Sequence, residues 1–227
     1  MLSTPEFKVS LFDQDGTLLD TDQLIRAAFK HTFDRRFGTK VENDDISIFL
    51  GRPLRECYQL IGAFYGLELD PRELEVCWGI HNEYQNANLH QAQAFPGVVD
   101  LLRDAQEAGI RTAIVTTRTG NGRLMVETAG LLPFIDRMVT GDDLMKLGLQ
   151  FKPSPDAIQL VLNGWGISPT KSVMMGDTSV DIVSGQAAGV RTIGVTYGSG
   201  GHAIREAKPD YIISEVSQAR PIILGES

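Results

Sequence analysis

Short apolar runs alternate with stretches of helical periodicity along most of the chain. The apolar runs predict strands over 8–12, 110–116, 138–140, 173–175, 192–195 and 211–213. Amphipathic helices are predicted between them, over 98–108, 122–129, 155–163 and 181–188. Strands that alternate with helices indicate an α/β fold, a doubly wound parallel sheet with helices on both faces and a Rossmann-like core. The runs are continuously apolar because such a sheet is buried on both sides.

One long segment breaks this alternation. Leu24, Phe29 and Phe33 recur at helical spacing before Gly38, and further helices are predicted over 53–65 and 71–88. No strand is predicted between the first of these helices and residue 90. We therefore expect an inserted α-helical cap domain over 18–92, with the core built from 1–17 and 93–227.

Composition narrows the classes of function. The 227-residue chain carries a net charge of −8, which disfavours binding to nucleic acid. It contains no apolar run of the roughly 18 residues that a membrane helix needs, and its first residues do not resemble a signal peptide. Cys57 and Cys77 form no metal-binding spacing and are expected to be free, buried thiols. We expect a cytoplasmic monomer or homodimer that acts on a small molecule, with no membrane or nucleic-acid partner.

Polar side chains follow several of the predicted strands. In a doubly wound sheet, residues beyond the carboxyl ends of the strands converge on one edge and form the working site. The residues expected there are Asp13, Asp15, Thr116, Thr117, Lys152, Asp177 and Asp181. Lys152 precedes a helix that Ser154 can cap and Pro155 can open.

These residue types suit phosphoryl transfer. Clustered carboxylates repel one another unless a hard cation such as Mg²⁺ neutralises them. Lys152 supplies a positive charge for a phosphate, and Thr116 supplies a hydroxyl donor. One carboxylate can then act as the nucleophile and a second as general acid and base.

The motifs resemble those of the haloacid dehalogenase superfamily, in its phosphatase branch with a helical cap. Four motifs stand in the family's order: Asp13-Gln14-Asp15-Gly16-Thr17, Ala113-Ile114-Val115-Thr116, Lys152-Pro153, and Gly176-Asp177 followed by Asp181. The resemblance implies that Asp13 is the nucleophile and a Mg²⁺ ligand, and that Asp15 is the general acid/base with its carbonyl on the metal. It further implies that Thr116 and Lys152 bind phosphate, that Asp177 is a metal ligand, and that Asp181 orients a metal-bound water.

Branches of this superfamily differ at single positions. Haloalkanoate dehalogenases lack the second aspartate, which is Asp15 here, and phosphonoacetaldehyde hydrolases need a cap lysine that 51–55 does not supply. The mutase branch has a histidine where this chain has Ile25, and tends to have glutamate in place of Gly176. We therefore expect a phosphatase, with a phosphotransferase or sugar-phosphate mutase as the alternative.

Phosphoglycolate phosphatases are the nearest resemblance within the family. The shared features are Gly51-x-Pro53-Leu54, Phe95-Pro96-Gly97-Val98 and Val195-Thr196-Tyr197-Gly198. The chain differs from them at Thr117, where asparagine is usual, and at Gly200, where an aromatic residue and asparagine commonly follow Ser199. These differences leave the substrate open.

Arg52 and Arg55 are the candidate substrate-binding residues of the cap. They could meet a second anionic group of the substrate, or simply form a solvated start of a helix. Two non-catalytic hypotheses also stay open: a phospho-aspartate signalling module like a response-regulator receiver, and a family member that only binds. A receiver is much shorter and has no helical insert.

Overall fold

The computed structural model describes residues 6–49, 52–201 and 203–225. Gly51, part of the phosphoglycolate phosphatase-like motif, lies outside these ranges. The strands are β1 Val9–Phe12, β2 Leu19–Asp20, β3 Gln93–Ala94, β4 Arg111–Val115, β5 Arg137–Val139, β6 Ser172–Gly176, β7 Arg191–Val195 and β8 Tyr211–Ile213.

The α-helices occupy the intervening segments. Those before β3 are α1 Asp22–Phe37, α2 Asn43–Ser47, α3 Leu54–Phe64 and α4 Pro71–Ala87. Those after it are α5 Val98–Glu107, α6 Gly122–Thr128, α7 Gly141–Leu147, α8 Asp156–Trp165, α9 Ser179–Ala188, α10 Ala203–Glu206 and α11 Ala219–Leu224.

The main sheet is parallel and doubly wound, which confirms the predicted fold class. Within the described residues, six strands pair in the order β5-β4-β1-β6-β7-β8, and each pairing is parallel. From β1 the chain builds outwards to β4 and β5, then crosses to β6 on the other side of β1. The order therefore reverses at β1, where such sheets place their site.

Each face of this sheet packs against its own layer of helices. Phe12, Ile114 and Met175 face α5, α6 and α11, whereas Leu11, Val115 and Met174 face α7, α8 and α9. Successive residues of one strand point to opposite faces, so a continuously apolar strand serves both layers.

The segment between β2 and β3 is helical and has an apolar core of its own. This core joins residues of α1 to α4, among them Phe29, Ile46, Tyr58 and Leu74. Cys57 and Cys77 lie within it as free, buried thiols, as expected. β2 pairs with β3 antiparallel, so the two connections between this segment and the sheet run side by side.

Some short elements were not predicted from the sequence. β2, β3, α2, α7, α10 and α11 are each at most seven residues long, too short to show a clear period. Pro155 is the residue before α8 rather than its first residue, and Asp156 opens that helix. The Ser154 hydroxyl donates to the Asp156 carboxylate at 2.7 Å.

Candidate active site

Asp13 follows directly on the central strand. Its backbone N–H donates to the Met175 carbonyl at 2.9 Å, which extends the β1–β6 pairing by one residue. Gly16, three residues later, turns the chain with a φ of 75° and packs against the Asp177 carboxylate. Glycine is needed there because the conformation is left-handed and a Cβ would overlap that carboxylate.

Lys152 is buried between two carboxylates. Its Nζ lies 2.5 Å from Asp13 Oδ1 and 2.5 Å from Asp181 Oδ1, and it donates to the Val115 carbonyl at 3.1 Å. Burial acts to lower the pKa of Lys152, but Asp13 and Asp181 outweigh it and hold the pKa above its ordinary value. The ammonium is therefore charged and fixed beside Asp13.

Three buried carboxylates form a candidate metal centre. Asp13, Asp177 and Asp181 each offer an oxygen within 4.8 Å of the others. Burial, followed by the neighbouring carboxylates, raises the pKa of Asp13 despite the opposing charge of Lys152. Burial and Asp181 raise the pKa of Asp177 to about 6. This surplus of negative charge in a buried place fits a hard divalent cation.

Asp181 is fixed from two sides. Its Oδ2 accepts from the backbone N–H and hydroxyl of Thr178 at 3.0 Å and 2.6 Å, a capping box at the start of α9. Its Oδ1 meets Lys152, so both oxygens have partners.

The glycine-rich loop after β7 packs against Asp177. The composition of 198–201, Gly-Ser-Gly-Gly, predicts only a flexible loop, and the structure corrects that prediction. Ser199 donates to Asp177 Oδ2 from its backbone N–H at 2.8 Å and from its hydroxyl at 2.9 Å. Gly198 and Gly200 pack so closely on Asp177 that a Cβ on either would overlap it. The loop therefore fixes the orientation of Asp177.

Gly200→Ala tests this packing. The added methyl would overlap the Asp177 backbone carbonyl, so the loop must shift and Ser199 must move away from the carboxylate. If the chain is the phosphatase that its motifs predict, with Asp177 on the metal, phosphate release should fall by about 10- to 100-fold, the range typical when the support behind a metal ligand is lost. Gly79→Ala is the matched control, because a Cβ at Gly79 meets open space. Equal activity of the two variants would contradict a role for the loop.

Thr116 and Thr117 directly follow β4 at the same edge. Thr116 is buried, and its hydroxyl oxygen accepts from the Arg118 backbone N–H at 3.1 Å. Both threonines line a cavity that also contains Asp13, Asp15, Lys152 and Asp177. The structure thus brings the predicted core residues of the site together.

Arg118 is a residue of the site that the sequence analysis missed. Its Nε donates to Asp15 Oδ2 at 2.7 Å and its Nη2 to Asp15 Oδ1 at 2.8 Å, a bidentate pair. Thr21 also donates to Asp15 Oδ1 at 2.7 Å. A basic residue two positions after Thr116 was the available signal, but its partner lies 103 positions earlier in the chain.

The cavity lies between the sheet edge and the helices that precede β3. It measures about 140 Å³. The helical side contributes apolar groups, including Ile25, Phe29 and Leu54, and polar groups, including His81 and Gln85.

The two candidate arginines of the cap differ in position. Arg52 lines the cavity and pairs with Glu56 at 2.6 Å. Arg55 is not among the cavity residues; it is about half exposed and pairs with Glu75. In this arrangement the charge of Arg55 is directed to a surface carboxylate, and its contact with substrate stays a prediction.

A family model described as haloacid dehalogenase-like hydrolase matches residues 10–195. The chain belongs to this family. The match spans β1 to β7 and so includes each of the four motifs that carry the resemblance. This confirms the family, and the buried acidic cluster described above could hold a metal ion.

Relatives of this haloacid dehalogenase-like hydrolase extend over nearly its full length. A pyrophosphatase PpaX of Bacillus pumilus is 32% identical, covering 94% of both chains, and one of Oceanobacillus iheyensis is 33% identical, covering 96% of both. A crystal structure described as a predicted phosphoglycolate phosphatase from Haemophilus somnus shares the fold with a TM-score of 0.87. It is 22% identical and covers 96% of this chain and 98% of its own.

The chain is therefore an enzyme, and within its family it is a phosphatase. Among the described residues, none of its helices combines the length and apolar character needed to cross a membrane.

Proposed function

We propose that this phosphatase is magnesium-dependent and hydrolyses a small compound that carries a transferable phosphoryl group and a second anionic group. The proposal rests mainly on Asp13, which lies 2.5 Å from the buried ammonium of Lys152 inside a cavity with further cationic groups. A phosphate bound there would meet a nucleophile and a fixed positive charge together.

In the proposed reaction, a carboxylate oxygen of Asp13 forms a bond to phosphorus while the bond from phosphorus to the leaving oxygen breaks. Asp15 gives a proton to that oxygen. Asp15 then takes a proton from water, which attacks phosphorus, releases inorganic phosphate and restores Asp13. Thr116 and Lys152 hold the phosphoryl oxygens throughout.

Arg118 and Thr21 orient Asp15 before substrate binds. Because Arg118 donates to both oxygens of Asp15, it must shift its contact when one of those oxygens carries the proton. An anionic leaving group is the natural new partner for the guanidinium.

The residues that would hold Mg²⁺ are Asp13, Asp177 and the backbone carbonyl of Asp15. Asp181 would orient a water, the role that the family resemblance implies, while Lys152 and Thr178 hold its carboxylate in place. When bound, Mg²⁺ supplies positive charge to the oxygens of the transferring phosphoryl group.

The cavity favours a small and strongly anionic substrate. Its volume of about 140 Å³ is below the roughly 300 Å³ of pockets that take drug-sized ligands. Lys152, Arg118 and Arg52 line it, so cationic groups are available for a phosphate and for a second anionic group, while bound Mg²⁺ would balance the aspartates of the same lining. Inorganic pyrophosphate and phosphoglycolate, named in the relatives, both fit this description.

Hydrolysis is favoured over transfer to a second hydroxyl. Ile25 lies in the cavity wall, and it offers no acid or base at the position where the mutase branch has histidine. We therefore keep hydrolysis as the proposed reaction.

Residues 18–92 are proposed to act as the cap, with 1–17 and 93–227 as the core. Their separate apolar core and their paired connections β2 and β3 support this division. A cap that closes would exclude water from the phosphoaspartate until the leaving group departs.

The direct test is release of inorganic phosphate, with and without Mg²⁺, from pyrophosphate, phosphoglycolate, sugar phosphates and nucleotides. We expect Mg²⁺-dependent release with a preference for one of the first two. Release that persists in excess chelator would contradict the metal, and an isomeric phosphate ester as product would indicate a mutase.

Binding of Mg²⁺ should depend on pH. The pKa of Asp177 is raised to about 6 from 3.8, so the metal-free native state takes up a proton as pH falls through 6. That protonation stabilises the metal-free form at lower pH and competes with the cation. With Mg²⁺ at 100 times its Kd we expect Tm to rise by about 5–10 °C at pH 7.5. The rise should shrink at pH 5.

Asp177→Asn is the control for this experiment, because it should remove the Mg²⁺-dependent rise at both pH values. A rise of the same size at pH 5 and pH 7.5 in the wild type would contradict the assignment.

A further inference from the structure

Gln85 is a buried polar residue on α4 that the proposed reaction does not use. Its side chain is fully buried and lines the cavity. Its Oε1 accepts from Arg118 Nη1 at 2.8 Å and from Asn121 Nδ2 at 3.3 Å. These contacts fix the orientation of the amide, because the reversed amide would set its NH₂ group against the guanidinium N–H.

The Nε2 of Gln85 then has no partner. Within the described part of the chain, this nitrogen is buried and makes no hydrogen bond. A buried amide donor without an acceptor costs free energy, and native proteins rarely leave one without a reason. Because the same side chain lines the cavity, a ligand oxygen is the natural acceptor.

His81 lies one helical turn before Gln85 and faces the same cavity. Burial, followed by the charge of Arg118, lowers the pKa of His81 to about 3, so the ring is neutral. Its Nδ1 is 2.8 Å from the hydroxyl of Tyr58, which fixes the ring. This face of α4 therefore presents rigid, uncharged polar groups.

The position of Gln85 indicates which part of the substrate it meets. Asp13 and Lys152 lie at the sheet edge, where the transferring phosphoryl group binds. Arg118 contacts both Asp15 and Gln85, so Gln85 lies beyond the general acid/base, on the side of the leaving group.

We propose that Gln85 determines specificity by donating a hydrogen bond from Nε2 to an anionic oxygen of the leaving group. This inference rests on the proposed function. The oxygen belongs either to a second phosphate, as in pyrophosphate, or to a carboxylate, as in phosphoglycolate. The same amide accepts from Arg118, so one residue of the helical segment links substrate recognition to the core.

Gln85→Glu tests the Nε2 donor of Gln85 separately from its Oε1 acceptor. The glutamate keeps the length of the side chain and an acceptor for Arg118 and Asn121, but it replaces the NH₂ donor with a negatively charged oxygen. Binding is measured by calorimetry with Mg²⁺ present and without turnover, using three stable phosphonates. Methylenediphosphonate represents pyrophosphate, 3-phosphonopropionate represents phosphoglycolate, and methylphosphonate lacks the second anion.

We expect Gln85→Glu to weaken at least one of the two doubly anionic probes by about 10- to 100-fold, and methylphosphonate by less than about 2-fold. The probe that is affected identifies the second anion as phosphate or carboxylate. Gln85→Met, which lacks the donor without adding charge, should change the same probe in the same direction by a smaller factor.

Gln59→Glu is the matched control, since it makes the same chemical change at an exposed position on α3. It should leave the three affinities unchanged. Equal weakening of all probes by Gln85→Glu would indicate disturbance of Arg118 and overturn the proposal. Unchanged affinities in Gln85→Glu would also overturn the proposal. The same holds if the wild type binds the doubly anionic probes no more tightly than methylphosphonate. Selective binding without phosphate release would refute the proposed reaction and leave this recognition site standing.

Discussion

Asp13→Asn is expected to reduce phosphate release by at least about 10⁴-fold. An amide oxygen cannot form the phosphorylated intermediate, and no other described carboxylate occupies the same position beside Lys152 at the end of β1. The fold should persist, because Lys152 keeps its contacts with Asp181 and with the Val115 carbonyl. Phosphate release and circular dichroism measure the two expectations together.

Asp100→Asn makes the same chemical change on the exposed side of α5, where Asp100 pairs with Arg103. It should leave turnover at the wild-type rate. Acid-quenched wild-type enzyme should also carry a phosphate adduct on the peptide containing Asp13. Wild-type turnover by Asp13→Asn, or an adduct on a different residue, would exclude the proposed nucleophile.

Lys152→Met is expected to abolish turnover and to destabilise the fold. The Lys152 side chain is 3% exposed and its ammonium lies between Asp13 and Asp181, so its removal leaves two buried carboxylates without their cation. Loss of one partner from a buried ion pair typically lowers the free energy of unfolding by about 3–5 kcal/mol. Denaturant unfolding of the metal-free protein measures this loss.

The double variant Lys152→Met/Asp181→Asn separates the electrostatic cause from a packing defect. Removing one uncompensated carboxylate should recover part of the lost stability, although turnover stays absent. Lys146→Met, at an exposed position on α7, should change neither property. If the double variant were less stable than Lys152→Met by the full cost of a second substitution, charge would not be the cause.

The sequence sufficed for the sheet and for the residues at its edge. Continuous apolar runs identify strands buried on both faces, and chain order then gives a parallel sheet whose strand ends carry Asp13, Thr116 and Asp177. These features are local, since each strand and the polar residue after it are neighbours in the chain.

The sequence did not suffice for contacts that form only on folding. Arg118 meets Asp15 across 103 positions and Ser199 meets Asp177 across 22 positions, and no periodicity records either pair. Gln85 shows no signal in the sequence, because its significance lies in an amide that is buried with one partnerless nitrogen. Arg55 pairs with Glu75, a contact across 20 positions that no pattern in the sequence records either.

The pairing of β2 with β3 also has a consequence for how such proteins can change over time. Leu19 lies opposite Ala94 in an antiparallel pair, and residues so paired have Cα atoms about 4.5–5.5 Å apart. The two chain connections between the helical segment and the sheet domain therefore lie directly side by side. An insertion with adjacent ends can be shortened, enlarged or replaced by a tight turn without moving any strand of the main sheet. Recombination at the β2–β3 pair could replace the helical segment, and with it the substrate specificity, while the chemistry of Asp13 is inherited unchanged.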